Sequence, residues 1–180
     1  MADSFSRYDV YAVAGSRYCY PDTNILNNRF GLRDAAQLKK VEADISAVRQ
    51  NDLLEHPIAG HFSANHLCTI HRYLFRDVYF FAGRFRREDI MKGTTRFLAH
   101  QQIGEKFKAL LGELRSEKFL KSVPVEMVIK RAAYYFAELN YIHPLREGNG
   151  RAIVILLENN HRFPARRAGK HGDIKKKILP

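Results

Sequence analysis

His143-Pro144-Leu145-Arg146-Glu147-Gly148-Asn149-Gly150-Arg151 joins two helical patterns and gathers a base, a carboxylate, a glycine-flanked turn and a fixed cation within nine residues. At average residue usage, seven such residue types at fixed spacing arise by chance on the order of once in 10⁸ positions. Upstream, Val125, Val128, Ile129, Ala132, Ala133 and Phe136 recur at helical spacing from Pro124 to Asn140. Downstream, Ile153, Ile155, Leu156 and Leu157 build a buried helix whose first turn starts at the glycines and which Asn159-Asn160 and Pro164 stop. The loop therefore opens a helix, where unsatisfied backbone N–H groups point outward.

Each residue of the loop suits phosphate chemistry. Glycines let backbone approach an anion, so Gly148, Asn149 and Gly150 predict a phosphate nest, and Arg151 can pair with phosphate oxygens. Glu147 beside the nest would repel phosphate unless a hard cation bridged them; Mg2+ resolves that conflict, because it binds one or two carboxylates together with substrate phosphates. His143, with an ordinary pKa near ~6.5, can accept a proton from an attacking hydroxyl, and Pro144 keeps it out of helical geometry. The bland alternative makes Asn-Gly a turn, Glu147 and Arg151 a solvated ion pair, and His143 a helix cap. Taken together the residues favour the chemical reading.

Working outward, Asp34 can cap a helix to about Gln50 with Leu38, Val41, Ile45 and Val48 as its apolar stripe. Ser63 can cap a second, with Leu67, Ile70, Leu74 and Val78 repeating until Gly83 ends it. From Arg84 to Leu98 the helical period fails, and Lys92-Gly93-Thr94-Thr95 suggests the turn of a short hairpin. Helical spacing returns from Gln101 to Arg115. Several helices and one small hairpin make the fold mainly α.

The chain of 180 residues suits one domain, and its two cysteines, with no apolar N-terminal run, point to a reduced cytosolic protein. Its longest apolar stretches fall far short of a membrane span. Of the net charge of +11, residues 161–180 hold seven Lys or Arg against one Asp, which is +6 in a basic tail. With the charge so placed, and no nucleic-acid-binding signature, nucleic acid is not the expected partner.

These residues resemble the Fic domain, whose motif is His-Pro-Phe-x-Asp/Glu-Gly-Asn-Gly/Lys-Arg. Tyr18-Cys19-Tyr20-Pro21-Asp22-Thr23-Asn24-Ile25-Leu26 is similar to the N-terminal segment of small bacterial members. Ile70-His71-Arg72-Tyr73-Leu74-Phe75 and Tyr79-Phe80-Phe81-Ala82-Gly83 are similar to the family's central helix and following turn. The resemblance covers roughly residues 18 to 157. It divides the chain into an N-terminal extension (1–17), a Fic domain (18–160) with a short C-terminal end, and the tail (161–180). It implies a helical core with a β-hairpin flap, and transfer of AMP from ATP to a Tyr, Thr or Ser hydroxyl of a target protein. His143 would be the base, Glu147 the Mg2+ ligand, and Gly148, Asn149, Gly150 and Arg151 the phosphate binders. Ile90, Met91, Lys92, Gly93 and Thr94 would form the flap that holds the target segment by strand addition. Gly150, where a phosphate-transferring branch has Lys, favours nucleotidyl transfer.

Three positions depart from the family pattern: Leu145 replaces the anchoring Phe, Val154 replaces a second Arg that contacts the γ-phosphate, and the helical pattern ends near Asn160. The alternatives they motivate are a weakened domain that binds nucleotide or a partner without efficient transfer, and transfer of another phosphorylated group. The family's inhibitory Ser/Thr-x-x-x-Glu-Gly/Asn helix is matched by Ser122 and Glu126 in spacing, but Met127 breaks it. A regulator of that type is therefore expected as a small antitoxin-like protein in trans. His61, His66 and His71 near Cys68 invite a zinc reading, yet five-residue spacing spreads side chains around a helix. Tyr134-Tyr135-Phe136 and Tyr79-Phe80-Phe81 read as core and rim rather than base-stacking platforms.

Overall fold

The computed structural model describes residues 15–121 and 123–159. The basic tail at 161–180, most of the N-terminal extension and Ser122 lie outside them. Five α-helices carry the architecture: α1 (Ala35–Glu55), α2 (Ala64–Phe75), α3 (Ile103–Ser116), α4 (Val125–Ile142) and α5 (Asn149–Asn159). A two-stranded antiparallel hairpin, β1 (Met91–Lys92) and β2 (Thr95–Arg96), projects between α2 and α3, with Met91 opposite Arg96 and Lys92 opposite Thr95.

The central element is α2, which packs against α5, α1 and α3. Leu67, Ile70, His71, Leu74 and Phe75 on it are fully buried, a wide face that only a central helix can present. Ser63 caps it by accepting the His66 N–H at 3.1 Å. The helix stops at Phe75, one turn before Val78 and well before Gly83. There the chain folds back, with the N–H groups of Val78 and Tyr79 both reaching the Phe75 carbonyl. The bulky Val78, Tyr79 and Phe81 are buried in that return, so the apolar spacing continued while the helix did not. Gly83 serves the turn instead: its φ is +78°, and a Cβ there would collide with Arg72 and the Cys68 carbonyl on α2.

The first helix departs from its expected stripe. Asp34 caps it, accepting the Gln37 N–H at 2.8 Å, but it runs to Glu55 and Val48 is 70% exposed. Its buried side carries Leu38, Ser46 and Leu53, with Glu42 half-buried beside them. That face meets α2 and the start of α5, where polar groups are needed. The N-terminal segment closes on itself through a single bridge of Cys19 to Leu26 and is tied on by another of Asn28 to Tyr79.

The Ser63→Ala variant removes one capping bond from the central helix. It should cost about 1 kcal/mol, seen as a fall in Tm of roughly 2–4 °C in thermal unfolding; an unchanged Tm would mean the cap contributes nothing.

Candidate active site

The last turn of α4 delivers His143. Its N–H bonds the Leu139 carbonyl at 3.1 Å, and the residue then turns left-handed at φ 45°, ψ 59°, as the cap of the helix that Pro144 forbids to continue. His143 is thus both helix cap and candidate base. Its imidazole stacks on Phe97 at 3.8 Å between centroids, at the foot of the hairpin. Nδ1 lies 2.9 Å from the Asn140 carbonyl oxygen, so Nδ1 carries the proton and donates it there, which puts the basic lone pair on Nε2. Burial, with help from the cations of Arg86 and Lys92, pushes the imidazole down to about 4 against the Asn140 bond. It is neutral at physiological pH.

Between His143 and α5 the loop is closed internally. Leu145 is fully buried in the core, where the family has Phe. The Asn149 side chain accepts the Leu145 N–H at 2.8 Å and donates to the Leu145 carbonyl at 2.7 Å, so its amide holds the turn together. Gly148 has φ +72°, and a Cβ there would overlap the buried Phe75 ring, so both conformation and space demand glycine. Hydrogen bonding within α5 begins with Ala152 N–H on Gly148 O at 3.1 Å, leaving the N–H groups of Asn149, Gly150 and Arg151 ahead of the ladder. A Cβ on Gly150 would meet nothing within 4 Å, so this turn opens on space an anion can enter.

Arg151 is oriented from α1. It donates to Ser46 Oγ at 2.8 Å, pairs with Glu42, and lies over the Phe75 ring at 4.7 Å. Two of its five N–H donors are thereby engaged. Glu42 is itself held by the Tyr79 hydroxyl. Glu147 stands 3.9 Å from Arg151 and accepts the Gly148 N–H at 2.8 Å. Burial and the neighbouring Glu42 carboxylate push its pKa up, against Gly148, Arg151 and Arg146. Val154 is partly exposed one turn beyond Arg151. In the hairpin, Ile90 is buried, Met91 and Lys92 are half-buried, and Gly93 and Thr94 are exposed at the tip, with Gly93 at φ +56°.

Four residues of this assembly carried little signal in the sequence. Arg86 is fully buried and donates to the carbonyls of His143 (2.8 Å), Ile142 (3.2 Å), Glu88 (2.7 Å) and Leu98. His71 is fully buried; its Nδ1 accepts the Gly83 N–H at 2.8 Å, so its Nε2 donates to the Glu147 carbonyl at 2.9 Å. Burial pushes His71 down to about 4, and it stays neutral in that role. Glu42 and Ser46 are a polar i, i+4 pair beside buried leucines, the one pattern that could have exposed them. His61, His66 and His71 diverge: His61 is exposed, and His66 bonds the Ile58 carbonyl at 2.9 Å.

Residues 61–159 match the Fic/DOC family. Over 163 residues the chain is 35% identical to protein adenylyltransferase VbhT of Bartonella schoenbuchensis, a match covering 91% of this chain and 33% of that protein, so it spans about a third of that relative's length. It is 33% identical over 150 residues to the probable protein adenylyltransferase Fic of Salmonella typhimurium, covering 83% of this chain and 74% of that one. Its fold is similar to the crystal structure of BepC, a VirB-translocated Bartonella effector protein from Bartonella tribocorum with bound AMPPNP. The TM-score is 0.74 at 25% identity, over 79% of this chain and 75% of that one. A helical core, a hairpin flap and a glycine turn opening a helix beside a buried histidine define a Fic-type fold. The chain belongs to the Fic/DOC family.

Two outcomes follow from this geometry. Gly148→Ala combines a left-handed alanine with overpacking against Phe75, which should destabilise by about 2–4 kcal/mol; a Tm within about 2 °C of wild type would refute the close approach. His71 and His143 both fold with pKa values of about 4, below the ~6.5 of the unfolded chain. Between those values these two groups bind more protons in the unfolded state, so stability should climb as pH rises from about 4 to about 6.5 and level off above, offset in part by Glu147, whose raised folded pKa acts in the opposite direction. Thermal unfolding across that range checks it, and a flat profile contradicts the buried neutral histidines.

Proposed function

We propose that the chain is a protein adenylyltransferase that moves AMP from ATP to a Tyr, Thr or Ser hydroxyl of a target protein, with Mg2+ held at Glu147. The observation that supports it most directly is the neutral His143, whose Nδ1 is committed to Asn140 so that Nε2 is the basic atom. Nε2 takes the proton of the target hydroxyl as its oxygen bonds the α-phosphorus; the bond from that phosphorus to the bridging oxygen of the β-phosphate breaks, and pyrophosphate leaves. The N–H groups of Asn149, Gly150 and Arg151 mark the phosphate site at the head of α5, Gly148 serves it by its turn because its own N–H is bonded to Glu147, and Arg151 brings its remaining donors to the phosphate oxygens. The Asn149 side chain acts on the loop itself, keeping that head in shape.

The carboxylate pair Glu42 and Glu147 around a single Arg151 fits a divalent cation. Burial together with the neighbouring Glu42 charge raises the proton affinity of Glu147, and an added cation relieves that cost. Bound Mg2+ would supply neutralisation of the phosphate charge beside Glu147. Residues 90–94 hold the target segment as an added strand, backbone to backbone. Activity belongs where ATP and protein targets are, in the cytoplasm of the producing cell or of one into which the chain is delivered. An antitoxin-like inhibitor would act in trans.

With labelled ATP, Mg2+ and cell lysate, the wild-type chain should label protein, and His143→Ala should lower transfer by about 10²–10⁴-fold; undiminished labelling would remove His143 as the base. In magnesium titrations followed by nucleotide-dependent thermal shift, Glu147→Gln should blunt the response, while the nucleotide-free Tm should not fall, because Gln can keep the Gly148 bond and removes a buried charge beside Glu42. An identical magnesium response in both proteins rules out Glu147 as the ligand.

A further inference from the structure

A cavity of about 400 Å³ lies between the N-terminal segment and the turn that follows α2, lined among others by Arg17, Tyr18, Tyr20, Phe80, Phe81 and Arg84. None of its lining comes from residues 90–94 or 143–151, so it is separate from the site above. Its volume falls in the range of small-molecule pockets, roughly 300–1,000 Å³.

The chemistry of its walls is specific. Phe81 forms a buried wall against which Tyr18 stands edge-on at 5.1 Å, while Phe80 is 57% exposed, which is unusual for a residue of its size. The Tyr18 ring is fixed by its hydroxyl, which accepts the Arg87 N–H at 3.0 Å. These π faces meet an excess of cations. Arg17 and Arg84 line the cavity and are exposed, and Arg29 and Arg33 stack on its rim, 4.5 Å over Phe80 and 4.7 Å over Tyr20. None of the ion pairs among the described residues engages any of these four guanidiniums. Several arginines elsewhere are neutralised, Arg49 by Asp77, Arg131 by Glu113 and Glu117, and Arg146 by Glu88, so what distinguishes these four is their grouping around one set of aromatic walls. Four unneutralised guanidinium groups around aromatic walls suit a ligand with an aromatic ring and an anionic group that can take forked hydrogen bonds.

We propose that this cavity is a second ligand site that binds a nucleoside 5′-phosphate, the base against Tyr18, Tyr20 and Phe80 and the phosphate on Arg17 and Arg84. An acidic peptide would use the cations but make no use of the aromatic walls between them. Discrimination among bases should be weak, because the Asn28 amide is saturated by bonds to Leu26, Phe30 and Leu32 and the Asn27 amide donates to Cys19. Stacking reads any base, whereas edge-on hydrogen bonds would be needed to choose one.

The test is calorimetric binding of AMP to the full chain in EDTA, with 8-azido-AMP photolabelling to map the contact. One AMP should bind at this site, and label should fall on the peptides around Tyr18–Tyr20 or Phe80–Phe81. Arg17→Ala/Arg84→Ala, at two exposed positions, should keep its Tm within about 2 °C. It should weaken AMP by about a hundredfold, the effect of losing two charged hydrogen-bonding contacts. GMP should bind within about tenfold of AMP. Inorganic phosphate bound as tightly as AMP reduces the site to a bare anion patch and overturns the proposal. So do AMP binding unchanged in the double variant, label confined to residues 143–151, or no binding.

Discussion

One buried guanidinium holds the candidate-site end of this molecule together. Removing an ion from water costs several kcal/mol, so an Arg with its side chain wholly out of solvent must have its donors satisfied. Arg86 does this with backbone carbonyls from two places: His143 and Ile142 at the end of α4, and Glu88 and Leu98 on either side of the hairpin. Its own N–H adds a bond to the Pro144 carbonyl at 2.8 Å. The flap and the candidate base are therefore joined through the same cation, and Phe97 stacked on His143 seals the join. The same charge helps hold His143 neutral. The group that shapes the site thus adds to the effect of burial on its proton chemistry.

The motif loop is anchored from both flanks, and its residues divide the work. Arg146 turns back to Glu88 in a buried pair at 3.0 Å, and Glu88 also takes the Ser16 hydroxyl at 2.7 Å. Arg151 is tied to α1 through Ser46 and Glu42, while His71 fixes the Glu147 carbonyl from below. Leu145 and Asn149 lock the middle. With this many independent restraints, a Leu in place of Phe does not leave the loop to one anchor. The smaller side chain is still fully buried.

The legible part of this structure was local. Caps at Asp34 and Ser63, the glycine turn at Lys92-Gly93-Thr94, and the extents of α4 and α5 are written within a few residues of where they act, and they fell into place, although the buried face of α4 is set by Val128, Ala132, Tyr135 and Leu139 and leaves the expected Ile129 exposed. The chemical loop was legible for the same reason, since its residues are consecutive. Partners distant in sequence were not. Arg86 lies 57 residues from His143 and Arg151 lies 109 from Glu42, with no period linking them. The end of α2 was misleading because Val78 continued the apolar spacing for a packing reason, burial in the return, that periodicity cannot separate from helix. Val48 was misleading in the opposite way: its spacing suits a core face that α1 gives over to Glu42 and Ser46.

That exchange on α1 explains why a scaffold helix is polar where it is most enclosed. A wholly apolar face would pack more favourably against α2 and α5, but it would leave the half-buried Arg151 without a counter-charge. Glu42 supplies it, and the Tyr79 hydroxyl in turn holds Glu42, so a chain of bonds runs from the turn after α2, through α1, to the head of α5. With Glu147 also present, two carboxylates face one guanidinium, and the local charge is negative before any phosphate arrives. On the function proposed above, Glu42 would add to Glu147 the negative charge that favours a cation-complexed nucleotide over the free anion, so a residue outside the motif shares in setting what the motif binds.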